Sequence, residues 1–64
     1  MSLQLLDEVQ GSDLTRKTKI YRDTEWNEYI VRLFIDGQHA KESDYHTDYL
    51  ADATETAKLM ANPK

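Results

Sequence analysis

Two histidines, His39 and His46, sit close to the carboxylates Asp44 and Asp48. Imidazole and carboxylate are the side chains that hold divalent metals. Their spacing here matches no standard ligand motif, so solvated surface histidines are the plainer reading and no metal is expected. Paired carboxylates are the second set: Asp44 with Asp48, and Asp52 with Glu55. Acid–base catalysis requires such a pair in a concave, partly desolvated pocket that separates the two pKa values. A chain of 64 residues has little room for one. It has only two glycines, too few for a phosphate-cradling loop, and no Ser-His-Asp arrangement. It has no cysteine, which removes disulfides and thiolate metal sites and fits a reducing cytoplasm. Neither enzymatic activity nor a cofactor is expected.

Binding chemistry is better represented. Arg16, Lys17, Lys19 and Arg22 fall within one short segment, with Tyr21 among them. A basic strand with an aromatic side chain can contact nucleic acid. Charge of this kind also protects an edge strand from aggregation, and that is the favoured reading. From 36 to 55 the order is reversed: Asp36, Glu42, Asp44, Asp48, Asp52 and Glu55 face a single basic residue, Lys41. Asp52, Glu55 and the nearby Leu59 form either a solvated helix face or a docking surface for a basic partner.

These groups must be carried by a few elements. Residues 16–22 read as a strand, Asp23-Thr24-Glu25 as a turn, and 27–35 (NEYIVRLFI) as the strongest strand, dense in β-branched and aromatic types. Asp36-Gly37 suits a two-residue hairpin turn, since both residues tolerate positive φ. A third strand is expected from Gln38 to about Thr47. Residues 48–61 read as an amphipathic helix capped by Asp48 or Thr47, with Tyr49, Leu50, Ala53, Ala57, Met60 and Ala61 on its apolar stripe. Asn62-Pro63 ends it. Residues 1–13 fit a short helix or a short strand equally well. They could cover the sheet, reach a partner or stay mobile. The fold class expected is α+β: one domain over 1–64, with a three-stranded antiparallel meander over 16–47 and one C-terminal helix packed on one face.

Alternation on the central strand sends Tyr29, Val31, Leu33 and Ile35 to the helix side. Glu28, Ile30, Arg32 and Phe34 go to the other side, with Trp26 in the same parity. A turn at 23–26 would set Ile20 opposite Tyr29 and bring Thr18 to the helix side. An uninterrupted third strand would bury Glu42 and Asp44, which is costly. A bulge near Lys41-Glu42 would instead bring Ser43 and Tyr45 inward. One helix covers one side of a sheet, which leaves Trp26, Ile30 and Phe34 without assigned cover. Their cover would be residues 1–10, a second copy of the chain or another protein.

The totals agree with a partner. A chain this short buries about 60% of its unfolded surface, and small domains commonly gain support from disulfides, metals or association. The net charge of −4 disfavours a general phosphate-binding surface and an anionic membrane. No apolar run is long enough for a membrane span, and Met1-Ser2-Leu3-Gln4 does not begin a signal peptide. A cytoplasmic location is therefore expected.

The residues Tyr21-Arg22-Asp23, Trp26, Glu28-Tyr29-Ile30-Val31, Asp36-Gly37, Asp44-Tyr45-His46-Thr47-Asp48 and Asp52-Ala53 with Ala57 carry a resemblance. Over Lys19 to about Met60, two-thirds of the chain, the sequence resembles a group of small uncharacterised bacterial and phage-type proteins. That likeness implies a strand–strand–strand–helix fold and no activity. Around Thr47-Asp48, Leu50, Asp52-Ala53 and Ala57 it is also similar to the N-terminal domain of HicB-type antitoxins, which bind and block a small toxin. It departs from them in lacking their C-terminal DNA-binding domain and their glycine-rich approach to the helix, so autoregulation by DNA binding does not carry over. The combined expectation is a non-enzymatic protein–protein interaction module, an accessory or inhibitory protein of a phage or mobile element. It would form a homodimer or engage a protein partner through Trp26, Ile30, Phe34, Asp52, Glu55 and Leu59. The alternative is a small dimeric nucleic-acid-binding protein using Arg16, Lys17, Lys19 and Arg22.

Overall fold

The structure, a computed structural model, describes residues 2–63. It is an α+β fold, an antiparallel sheet with one C-terminal helix against it. The strands are β1 (Leu3–Gln10), β2 (Arg16–Asp23), β3 (Glu28–Ile35), β4 (Gln38–His39) and β5 (Tyr45–Thr47), and the helix is α1 (Leu50–Ala61). The sheet order is β1-β2-β3-β4, with β5 also pairing β3 beyond a 3₁₀ turn at Lys41–Ser43.

The N-terminal segment is a strand in the plane of the sheet, so it covers an edge and neither face. This corrects the reading of the basic segment as an edge strand. β2 is interior, bonded to β1 on one side and β3 on the other. The β2–β3 turn spans 24–27, one residue later than expected, and Ile20 stands opposite Val31 rather than Tyr29. The slip is two residues. Side chains alternate with period two, so Ile20 and Thr18 still face the helix.

The hairpin at Asp36-Gly37 forms as the residue types require, with φ of 53° and 80°. The third strand does not run through. It breaks at the 3₁₀ turn, and its register moves from Phe34↔His39 to Val31↔Tyr45. An odd displacement inverts parity, so Tyr45 takes the helix side and Asp44 is left on the other, as the cost of burying a carboxylate demands.

α1 starts at Leu50, with Tyr49 as its cap residue and no side-chain cap. Neither Asp48 nor Thr47 caps it. Thr47 Oγ1 instead accepts the N–H of Tyr49, which keeps that residue extended. The helix ends at Asn62, whose N–H donates to Lys58 O. The alanines Ala53, Ala57 and Ala61 are buried against the sheet, and Ile20, Val31, Ala53 and Ala57 form the core, with Val9, Tyr29 and Met60 at its margin. Tyr49 and Leu50 do not join that stripe; they lie before and at the first helical residue and remain exposed.

Thr18 is fully buried and donates from its hydroxyl to Ala57 O at 2.9 Å. A buried hydroxyl needs such a partner, and this one ties the middle of β2 to the helix backbone.

Candidate functional site

The side of the sheet away from α1 covers itself. Ile30 is only 5% exposed although α1 packs on the other side of the sheet, against Ile20 and Val31. Its neighbours along β3 are Glu28 and Arg32, and its neighbours across the sheet are Tyr21 and His46. These four are joined in two pairs. Arg32 lies over the Tyr21 ring at 5.1 Å, and His46 Nδ1 meets Glu28 Oε1 at 3.1 Å. Long polar side chains folded over their own stems can shield an apolar neighbour in this way. Phe34 is half-buried by the same means, stacked on His39 at 5.3 Å with Lys19 Nζ 5.0 Å from its ring centre. Ile30 and Phe34 are therefore not the open contact surface that alternation alone implies.

Trp26 is different. It sits in the turn before β3, outside the strand, and is 72% exposed. Its backbone is held while its ring is free. The buried carboxylate of Asp23 accepts the N–H of Glu25 at 3.0 Å and of Trp26 at 3.3 Å, and Asn27 closes the turn with φ of 54°. Asparagine adopts that conformation more readily than most residues. Thr47 pairs with Tyr29, so β5 leaves the sheet at the end where this turn lies. The chain then presents Tyr49, 73% exposed, as the cap of α1 and Leu50 as its first residue. Trp26, Tyr49 and Leu50 thus mark one end of the sheet. Sequence reasoning found Trp26 but placed Tyr49 and Leu50 in the core. The signal it missed is Thr47, whose side chain bonds forward and delays the helix.

The acidic residues do not gather. Asp52 accepts from Tyr45 Oη at 2.7 Å and from Thr47 Oγ1 at 2.9 Å, which occupies the carboxylate within the chain. The Asp52 carboxylate also raises the Tyr45 pKa above its ordinary 10.0, because the bond favours the neutral phenol. Asp44 belongs to the opposite side of the sheet, 2.6 Å from His39 Nε2 and 3.9 Å from Arg32 Nε. Asp36 is at the hairpin tip. Glu55 and Leu59 remain exposed on the outer side of α1.

The basic residues of β2 are divided between the two sides, because β2 alternates like any strand. Lys17 and Lys19 converge on Glu8 at 3.5 and 4.0 Å. Arg16 donates to Met60 O at 3.3 Å and Arg22 to Asn27 Oδ1 at 2.9 Å. The four form no common stripe.

His39 bonds Asp44 across the 3₁₀ turn and holds that break closed, while His46 is bound to Glu28. Among the described residues no group of three or more His, Asp or Glu side chains is placed to hold a metal. A shallow, open hollow lies beside the β3–β4 hairpin, lined by Ile35, Asp36, Gln38, His39, Ala40 and Glu42. Its carboxylates are not enclosed, so it lacks the desolvation that acid–base chemistry uses. Among the described residues no helix is long and apolar enough to cross a membrane. The chain matches no protein-family model, no curated protein and no solved structure.

Proposed function

We propose that the chain is a non-enzymatic protein-binding module whose contact surface is the end of the sheet bearing Trp26, Tyr49 and Leu50. The observation that carries this reading is Trp26. A large aromatic side chain stands in solvent on a turn whose backbone is fixed by Asp23. Anchors at protein interfaces are enriched in Trp and Tyr, and a pre-ordered anchor loses little freedom on binding. Tyr49 and Leu50 enlarge the apolar area at the same end, and patches of this kind mark contact sites. Glu55 and Leu59 lie on a separate, helical surface and are secondary to this reading.

The test compares affinity capture by the wild-type chain and by Trp26→Ala under identical conditions. The expected result is a discrete captured protein that the variant loses while its melting temperature is unchanged. Equal capture by both would defeat the reading. The nucleic-acid alternative, with Arg16, Lys17, Lys19 and Arg22 as its contacts, has less support because each of the four is engaged within the chain.

A further inference from the structure

β1 ends the sheet, and among the described residues nothing pairs with its outer side. The hydrogen bonds around the strand ends show which residues face that side. Asp36 N–H donates to Thr15 O at 2.7 Å. In an antiparallel ladder bonded and non-bonded pairs alternate, so Lys17, Lys19, Tyr21 and Asp23 bond toward β3, and Arg16, Thr18, Ile20 and Arg22 toward β1. Gly11 N–H to Arg16 O at 3.1 Å and Thr24 N–H to Ser2 O at 3.2 Å agree. On β1 itself, Gln4, Asp7 and Val9 therefore bond inward, and Leu3, Leu5, Glu8 and Gln10 turn their N–H and C=O groups outward. The outward N–H of Glu8 is met by its neighbour's carboxylate, Asp7 Oδ1, at 2.8 Å.

The outward set changes from odd to even numbers because the register slips between Leu5 and Asp7. That slip sits at the middle of the strand, and it has a consequence for symmetry. Two copies placed antiparallel, with the twofold axis between Leu6 and Asp7, bring every outward residue opposite another outward residue. Leu3 meets Gln10 of the partner subunit, and Leu5 meets Glu8 of the partner subunit. Both copies carry the irregularity at the same level, so the two halves of the seam stay in step.

We propose that β1 is the seam of a twofold dimer, joining two copies into one continuous antiparallel sheet. This rests on reading the chain as a protein-binding module and names a second copy as one partner, at a surface separate from Trp26. β1 carries neither lysine nor proline, the residues that commonly blunt a free edge, and it exposes Leu5 and Leu6 at 49% and 42%. Glu8 does not oppose self-pairing, while Asp7 stands beside the axis and its carboxylate must release the Glu8 N–H for the seam to form. In this register Glu8 faces Leu5 of the partner subunit instead of its own equivalent. Glu8 is also neutralised by Lys17 and Lys19, so the strand does not demand a basic partner.

The test is sedimentation of the full chain from micromolar to millimolar concentration, joined to amide exchange at both ends of that range. The expected species has twice the mass of one chain. Its formation slows exchange of the Leu3, Leu5 and Gln10 amides and leaves the Gln4, Asp7 and Val9 amides unchanged, while the Glu8 amide is bonded to Asp7 already in the single chain. Leu5→Pro removes an outward N–H that β2 does not use and should raise the dimer dissociation constant at least tenfold. A monomer at every concentration overturns the proposal. So does a dimer whose outward β1 amides exchange as fast as the monomer's, or one that Leu5→Pro leaves intact. If Leu5→Pro fails to fold, the wild-type exchange pattern decides. A strict monomer leaves the Trp26 capture result standing, and a failed capture leaves the dimer standing, so the two readings fall separately.

Discussion

A Cβ placed on Gly11 would lie 2.3 Å from the carbonyl oxygen of Ala61, so the β1–β2 loop and the last turn of α1 meet where only glycine fits. The contact is fastened next door. Asn62 Oδ1 accepts both the N–H and the hydroxyl of Ser12, at 2.7 and 2.6 Å. The helix end and the first hairpin loop are therefore one packed unit.

Gly11→Ala should lower stability by about 1–3 kcal/mol, because the obstacle is backbone and cannot swing aside. In a domain of this size each kcal/mol lowers the melting temperature by roughly 4–8 °C. Gly37→Ala is the control. It meets nothing within 4 Å and is opposed only by its φ of 80°, a cost of about 1–2 kcal/mol. Thermal melts of the two variants check the difference in cause: relief by shortening or loosening the Ser12–Asn62 contact should help Gly11→Ala only.

Thr18→Val should cost about 1 kcal/mol in urea unfolding, since it keeps the shape and removes the bond to Ala57 O. Thr18→Ala should cost more, through lost packing as well. Equal stability of Thr18→Val and wild type would show that the bond contributes nothing net.

Trp26→Ala and Ile30→Ala should separate. Trp26 is exposed, and its loss should move stability by no more than about 0.5 kcal/mol. Ile30 is enclosed by the Arg32–Tyr21 and His46–Glu28 pairs, and its truncation should cost roughly 2–5 kcal/mol. Denaturant unfolding of both variants checks it. Similar values would mean that the polar pairs do not shield Ile30 in solution.

Tyr45 should ionise above its ordinary 10.0, because the Asp52 carboxylate holds the neutral phenol. A pKa raised on folding contributes stability that is full below pH 10.0 and is lost as pH rises through the folded value. Ultraviolet absorbance titration should show Tyr45 ionising above pH 10.0. Asp52→Asn should bring that ionisation back toward 10.0, and Tyr45→Phe should remove it.

Some of this was legible in the amino-acid order and some was not. Asp36-Gly37 specifies its own turn, since few other residue types accept positive φ at both positions. The alternation of β3 and the alanine spacing of α1 specify which sides of strand and helix meet. The charge of Glu42 and Asp44 foretold that the third strand must change parity. These features are local, set by dihedral preference, period and the cost of burying charge.

The remainder depended on which strand lies beside which. Leu3–Gln10 forms a strand because β2 offers it an open edge, and nothing within those residues excludes a helix. That added neighbour turned the basic β2 from an edge into an interior strand. Trp26, Ile30 and Phe34 read alike along the chain, yet one is free, one enclosed and one half-covered. Ile30 is closed over by Tyr21 and His46, residues far from it in the chain, while Trp26 has no such neighbours because it stands in a turn. Cover on a sheet comes from adjacent strands, and adjacency is decided only when the chain has folded.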